Sequence, residues 1–247
     1  VAHCEDESEL QPGACVNLGD FSKENNLVGI NNASEYKHAM RDLQLANEIG
    51  NRYHICHIST KETVAALKKA RQTNPLVSGE ACPHHLILTD ENIKDLNPNY
   101  KMNPPLRSKE DLEALIEGIN EGVVTVISTD HAPHAENEKQ QHISKAPFGI
   151  IGSQHAFSLM YTYLVKKGLI PLETVLACMS INPAKVIGIK HDLEVGYKAN
   201  LAVFDLDEEY LITKESIKSK STNTPFLQTK CFGALKYHVL DGKITKI

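Results

Sequence analysis

Four short apolar stretches alternate with helical patterns along this 247-residue chain, and each stretch ends in residues able to do chemistry. Strand, loop and helix in alternation are typical of parallel strands joined by crossover helices. The carboxyl ends of such strands emerge on one face, where a closed α/β barrel builds its active site. The pattern therefore predicts an α/β fold with its chemistry at the strand ends. The stretches are Val1–His3, Arg52–Ser59, Leu76–Cys82 and Val123–Asp130.

The segments between these stretches carry helix start and stop signals. Helices are predicted over residues 34–50, 61–71 and 108–121. Thr60 is a candidate cap for the second helix, and the third opens with a capping-box-like SKED. Gly50 suits the position after the end of the first helix. The residues expected on one face of that helix are Tyr36, Ala39, Met40, Leu43 and Ala46.

The sequence pattern changes near Leu193, where short strand-like runs replace the alternation of strands and helices. The pattern predicts two domains, a partial barrel over residues 1–192 and a small β-sandwich segment over 193–247. Four strand and helix units make only half of an eight-stranded barrel. The chain also begins in the middle of a motif, without an initiator Met, so a missing N-terminal half is expected.

Composition excludes several classes of partner. The net charge is −5 and the sequence has no cluster of Lys and Arg, so nucleic acid is not an expected partner. No apolar stretch approaches the roughly 20 residues that a membrane-spanning helix needs. The 6 cysteines form no CxxC pair. Buried, reduced thiols in a cytoplasmic protein are therefore expected.

Imidazole and carboxylate groups accumulate at the ends of the four stretches, and these are ligands that Zn²⁺ and related divalent ions accept. A single histidine of this kind is more often structural than a ligand. Four strand ends of this composition favour a metal site, although residue types and spacing alone leave a metal hydrolase and a structural arrangement both open. The residues are His3, Glu5 and Asp6; His54 and His57; Glu80, His84 and His85; Asp130, His131 and His134.

A resemblance to a known family makes the interpretation more specific. The chain resembles the class I, bacterial-type dihydroorotases of the amidohydrolase superfamily over essentially its whole length. The resemblance implies an α/β fold that is the C-terminal half of a (β/α)8 barrel, strands five to eight, followed by a small β domain. The motifs that carry it are HCED at 3–6, HICHIST at 54–60, SGEACPHHL at 78–86, KMNPPLR at 101–107, STDHAPH at 128–134, APFGIIG at 146–152, NPAKVIG at 182–188 and GYKANLAVFD at 196–205.

The resemblance also implies a binuclear zinc site. His3 and His57 would bind one Zn²⁺, while Asp130 would bind the other and act as the catalytic base. The HxH motif and the bridging carboxylate of the family have no counterpart in these residues and would lie upstream of Val1. The 247-residue chain alone is therefore expected to be inactive.

The implied reaction is the reversible interconversion of N-carbamoyl-L-aspartate and (S)-dihydroorotate in de novo pyrimidine biosynthesis. Asn103 would bind the amide edge of the ring, and His134 would help to hold the substrate carboxylate. The backbone of Phe148 and Gly149 would contact the ring. The polar stretch 134–147 is expected to form a loop over the mouth of the site.

Two alternatives remain open from the sequence. The first is a sister cyclic amidase, such as a hydantoinase, dihydropyrimidinase or allantoinase. The second is a non-catalytic dihydroorotase homologue that acts as a scaffold for aspartate transcarbamoylase. A homodimer or an aspartate transcarbamoylase complex is expected by family analogy only. His54, His84 and His85 are assigned to packing or structural roles.

Overall fold

The computed structural model describes residues 1–190 and 193–247. Contacts divide the chain into two compact units, the first made of residues 1–153 and 219–225, the second of residues 154–218 and 226–247. The predicted domain boundary falls beside residues 191 and 192, which lie outside the described residues, and it stays a prediction.

The first unit contains two small parallel sheets. Strands β1 (Val16–Asn17) and β2 (Gly29–Ile30) pair with each other. The other sheet has the order β3-β4-β5 and is parallel throughout, and Ala2 adds a parallel bridge to Ile55 at its edge. The four apolar stretches therefore lie side by side in chain order, which confirms the predicted α/β character. The bounds are Tyr53–Ile55 for β3, Val77–Ala81 for β4 and Val126–Ile127 for β5.

The helices of the first unit begin and end where the sequence placed its caps. Thr60 accepts a hydrogen bond from the backbone N–H of Thr63, and Ser108 accepts one from Asp111. Gly50 ends α2 with a left-handed backbone, φ 74°. The helices are α1 (Asp20–Glu24), α2 (Ala33–Ile49), α3 (Lys61–Arg71), α4 (Pro83–Ile87), α5 (Lys109–Asn120) and α6 (Glu136–Lys139), with 3-10 turns at Glu7–Glu9, Asp90–Asn92 and Pro98–Tyr100.

The buried face of α2 differs from the predicted one. Met40, expected on that face, is 52% exposed, whereas Glu35 is only 3% exposed. The buried stripe therefore runs through Glu35, Ala39, Leu43 and Ala46. The helix turns this face inward because the Glu35 carboxylate binds the loop that follows β3.

Leu67 of α3 lies at the centre of this packing. Its side chain is fully buried, and a Cβ added to Gly79 of β4 would lie 2.9 Å from Leu67 Cδ2. We expect Leu67→Ala to lower the free energy of unfolding by about 2–5 kcal/mol, because it leaves a cavity between helix and sheet. Urea denaturation measures the loss. Leu76→Ala is the control, since Leu76 is 45% exposed, and an equal loss for the two variants would contradict this packing.

The second unit combines helices with an antiparallel sheet. The sheet has the order β6-β7-β8, and a short turn at Asp241 and Gly242 joins its last two strands. No helix in the described part of the chain is both long and apolar enough to span a bilayer. The elements are α7 (Ala156–Met160), α8 (Leu172–Leu176) and α9 (Asn182–Ile187), π-helical turns at Tyr161–Val165 and Ala177–Ile181, and strands β6 (Leu201–Leu211), β7 (Lys230–Leu240) and β8 (Lys243–Lys246).

Candidate functional site

The side chains of His3 and His57 meet at the end of the parallel sheet. His3 Nδ1 lies 3.0 Å from His57 Nε2, and the ring centroids are 4.8 Å apart. Their meeting follows from strand pairing, because Ala2 bridges Ile55, and His3 lies one residue after Ala2 while His57 lies two residues after Ile55. The two predicted ligands, 54 positions apart in sequence, are therefore neighbours in space.

The nitrogens of this pair fit a divalent metal ion. Two ligands of a tetrahedral zinc with bonds of about 2.0–2.1 Å lie roughly 3.3 Å apart, close to the observed spacing. His57 Nδ1 is buried and has no hydrogen-bond partner among the described residues. A buried polar atom without a partner is costly and calls for an explanation, such as an ordered water, and Nδ1 is not the nitrogen of this ring that faces His3. Imidazole together with carboxylate is a donor set that zinc accepts.

Electrostatics keeps the His57 ring neutral, as a metal ligand must be. Burial lowers the pKa of His57, and the neighbouring His3 lowers it further. The nearby Glu5 carboxylate raises the pKa of His3. The negative charge of Asp130 favours the protonated form of both rings and so raises both pKa values. The Asp130 carboxylate therefore shares the electrostatic environment of the two histidines.

Backbone conformation marks His57 and Asp130 as unusual. Their φ angles are 34° and 44°, in the left-handed region that non-glycine residues rarely occupy. Such conformations cost on the order of 1–3 kcal/mol and cluster at active sites. Each residue follows the end of a strand, so the turn redirects its side chain away from the alternating positions of that strand.

Glu5 connects a predicted ligand with a predicted substrate contact. Its Oε2 lies 3.6 Å from His3 Nε2, and its Oε1 accepts a hydrogen bond of 2.8 Å from Asn103 Nδ2. The neighbouring His3 ring lowers the pKa of the Glu5 carboxyl, which therefore stays ionised. Asn103 is thus connected to His3 through a single side chain, that of Glu5. The sequence placed Glu5 beside His3 but assigned it no role.

Glu35 holds the loop that carries His57, and sequence reasoning missed it. Its carboxylate accepts hydrogen bonds from the backbone N–H groups of Ser59 and Thr60 and from both hydroxyl groups. Arg107, itself only 3% exposed, donates from Nε to Ser59 Oγ at 3.1 Å. One signal was present in the sequence, since Glu35 falls four residues before Ala39 on the apolar stripe of α2.

Removing this carboxylate has a clear expected consequence. Glu35→Ala should lower the free energy of unfolding by about 3–5 kcal/mol, because the buried donors of Ser59, Thr60 and Arg107 lose their acceptor or counter-charge. Chemical denaturation measures the change. Glu113→Ala is the control, since the Glu113 side chain is 61% exposed and pairs with Lys109 one helical turn away. A decrease in the free energy of unfolding below about 1 kcal/mol for Glu35→Ala would contradict the proposed role of this carboxylate in holding the loop.

The remaining predicted site residues form a second group. His134 Nε2 lies 2.8 Å from the backbone oxygen of Phe148. Gly149 has φ 123°, and a Cβ at this position would lie 3.0 Å from His134 Nε2 and 2.6 Å from Ala132 Cβ. Only glycine fits this approach. The structure therefore brings His134, Phe148 and Gly149 together.

Asn223 completes this second group and was not expected from the sequence. Its Nδ2 donates to the carbonyl oxygens of Ala132 and Gly149, at 3.0 and 3.1 Å. Its Oδ1 accepts a hydrogen bond from the backbone N–H of His134. No spacing or motif signalled this role, because Asn223 is far from these residues in sequence and becomes their neighbour only through the fold.

The other strand-end histidines have partners of their own. His54 is buried between Ser78 Oγ at 2.7 Å and Glu80 Oε2 at 3.0 Å, which agrees with a packing role. His131 Nδ1 accepts hydrogen bonds from the backbone N–H groups of Gly152 and Ser153.

A separate group with metal-ligand chemistry lies at the end of β4. Cys82, His84 and His85 are all buried, and their three candidate ligand atoms lie within 4.8 Å of one another. His85 Nε2 lies 2.9 Å from the backbone oxygen of Pro104, so this nitrogen donates a hydrogen bond. Burial lowers the pKa of His85 to about 3. The group shares no residue with the His3 and His57 pair.

Comparison with known proteins identifies relatives. A sequence model described as "Amidohydrolase family" matches residues 21–245. The chain is 46% identical to a dihydroorotase of Bacillus licheniformis over 245 residues, covering 99% of this chain and 57% of the relative. Identity to a dihydroorotase of Bacillus subtilis is 45%, with the same two coverages. The predicted resemblance is confirmed, and the chain spans little more than half the length of these relatives.

Solved structures of other proteins share the fold of this chain. An L-hydantoinase (dihydropyrimidinase) of Arthrobacter aurescens matches with a TM-score of 0.81 and 28% identity, covering 86% of this chain and 49% of that chain. A dihydropyrimidinase of Brevibacillus agri matches with a TM-score of 0.79 and 23% identity, covering 85% of this chain and 48% of the other.

Proposed function

Because the chain belongs to the amidohydrolase family, we propose that it contributes to the reversible interconversion of N-carbamoyl-L-aspartate and (S)-dihydroorotate in pyrimidine biosynthesis. The observation that carries the proposal is the His3 and His57 pair at 3.0 Å, with the negative charge of Asp130, which follows β5, acting on both rings. The identity of 46% to a curated dihydroorotase over nearly the whole chain supports this substrate.

The fold proposal follows from the parallel sheet. The order Ala2, β3, β4, β5, with candidate ligands after the first, second and fourth members, is what strands five to eight of a (β/α)8 barrel would give. The antiparallel sheet β6-β7-β8 would then be the small β domain that follows the barrel.

The metal proposal assigns His3, His57 and Asp130 as ligands, with zinc as the ion that best suits them. We propose a binuclear site whose remaining ligands come from outside residues 1–247. When bound, zinc would polarise the amide carbonyl and lower the pKa of a water molecule. His57 is prepared for this role by its lowered pKa, and Glu5 orients His3.

The protein side chains then account for proton transfer and binding. Water adds to the ring amide carbonyl, the carbon to nitrogen bond breaks, and Asp130 transfers the proton from the water to the leaving nitrogen. Asn103, oriented by Glu5, binds the amide edge of the ring. His134 binds the substrate carboxylate beside the Phe148 and Gly149 backbone, and ring closure follows the reverse path.

Activity assays of the native protein test the proposal directly. Its rates with dihydroorotate, dihydrouracil and hydantoin are compared before and after removal of metal with a chelator. We expect dihydroorotate to be the preferred substrate and the activity to depend on metal. Preference for hydantoin would favour the second candidate, a hydantoinase, which the 28% identity to the Arthrobacter enzyme supports.

The setting of the reaction is part of the same proposal. All six cysteines, Cys4, Cys15, Cys56, Cys82, Cys178 and Cys231, are free thiols. Free thiols fit a reducing compartment, so we place the protein in the cytoplasm. A homodimer or a complex with aspartate transcarbamoylase stays a prediction that size measurement of the native protein addresses.

A further inference from the structure

Two buried lysines lie beneath the Phe148 and Gly149 segment. Lys139 of α6 is 6% exposed and Lys101 is 4% exposed. Lysines are almost never fully buried unless they are paired, because an ammonium group loses its hydration. Both buried ammonium groups therefore call for an explanation.

Lys139 binds three backbone oxygens in and around this segment. Its ammonium donates hydrogen bonds to the backbone oxygens of Gly149 at 2.9 Å, Pro147 at 3.0 Å and Lys101 at 3.3 Å. An ammonium group has three donors, so its hydrogen bonding is complete. The Gly149 N–H in turn donates to the same Lys101 oxygen at 3.0 Å.

Lys101 approaches the segment from another direction. Its ammonium lies 4.5 Å from the centroid of the Phe148 ring and donates to the backbone oxygen of Ser144 at 3.3 Å. The aromatic ring and the carbonyl satisfy the cation in part but carry no formal negative charge. Two positive charges therefore flank the segment that also holds His134.

No carboxylate neutralises either ammonium among the described residues. The charged group that acts on Lys139 is the Lys101 ammonium, and the Cys15 thiol near Lys101 is neutral because burial raises its pKa. The Oε2 atom of Glu138, next to Lys139, accepts a hydrogen bond from the backbone N–H of Ala135 and lies 3.8 Å from His134 Nδ1. Burial and the Lys101 charge lower the pKa of Lys139 to about 8, which still leaves it largely protonated near pH 7.

We propose that Lys139 and Lys101 are specificity-determining residues, a buried cation pair that makes the site prefer a cyclic amide bearing a carboxylate over the same ring without one. The inference rests on the proposed function, which places the ring against Phe148 and Gly149. Buried charges are poorly screened, and they act on a ligand without touching it. A neutral pair of backbone donors would position the segment equally well, but it would not discriminate by ligand charge.

The test compares two planar rings that differ in one carboxylate, orotate and uracil. Dissociation constants are measured by calorimetric titration for the native protein and for Lys139→Met, Lys139→Arg and Lys101→Met. Lys145→Met is the matched control, because Lys145 lies in the same segment and is exposed. Metal content and thermal unfolding are recorded for each variant, so that losses of fold or metal are visible.

A unit charge about 10 Å away, at an effective dielectric constant of about 20, changes binding on the order of tenfold. We therefore expect Lys139→Met and Lys101→Met each to weaken orotate binding about tenfold and uracil binding less than about twofold, with metal content unchanged. Lys139→Arg should keep the preference for orotate, and Lys145→Met should leave both constants unchanged.

Equal weakening of orotate and uracil in the methionine variants, or no weakening of either, would overturn the proposal. If Lys139→Met does not fold, the ratio measured for Lys101→Met decides alone. Failure of the proposed function looks different, since the native protein itself would then turn over neutral hydantoin in preference to dihydroorotate. If the native protein prefers dihydroorotate but the ratio of the orotate and uracil dissociation constants is unchanged in the variants, only the proposal for the cation pair is refuted.

Discussion

Asp130→Asn should remove nearly all turnover of dihydroorotate by the native protein while the fold is kept. The variant keeps the size of the side chain, and asparagine tolerates the left-handed φ of 44° at this position. It removes the group proposed to carry the proton from water to the ring nitrogen. Loss of a general base costs about 10²- to 10⁴-fold in rate, and loss of a metal ligand adds to this. The measurement is kcat at saturating substrate.

Asp95→Asn is the matched control for this experiment. Asp95 is also exposed and also has a left-handed backbone, φ 50°, but it lies in the loop between two 3-10 turns and is assigned no site role. Its variant should retain full activity. A kcat for Asp130→Asn within about threefold of the native value would show that another group serves as the base.

Much of the fold was predictable because its signals are local. The Thr60 and Ser108 caps fixed the starts of α3 and α5, since a side-chain oxygen at these positions satisfies an otherwise unpaired N–H. The parallel order of the apolar stretches followed from their alternation with helices. The face of α2 was less predictable, because a periodic pattern does not reveal that a carboxylate such as Glu35 will be buried by distant donors.

The candidate site was predictable in part for the same reason. His3, His57 and Asp130 stand at strand ends, and strand pairing alone brings the two histidines together. The residues that support them were not predictable. Asn223 and Lys139 hold the Phe148 and Gly149 segment through hydrogen bonds to backbone oxygens. Every residue has a backbone oxygen, so the sequence does not indicate which of them will accept such a bond. Their roles depend on tertiary structure only.

His57→Asn should sharply reduce the metal content of the native protein. The buried His57 ring is the member of the histidine pair whose pKa is lowered, so it would offer a neutral nitrogen lone pair to the proposed metal near neutral pH. Loss of a residue that merely orients a ligand costs 10- to 100-fold in metal affinity, so loss of the ligand itself should cost more than about 100-fold. Asparagine tolerates the φ of 34° at this position, which limits damage to the turn.

His54→Asn is the control that separates ligation from burial. His54 lies three residues earlier and is equally buried, but its nitrogens bind Ser78 and Glu80. Both variants lose a buried imidazole, and both are expected to unfold at lower temperature than the native protein. Only His57→Asn should lose metal, measured by elemental analysis of protein after gel filtration. Equal metal content in the two variants would mean that His57 is a structural residue and not a metal ligand.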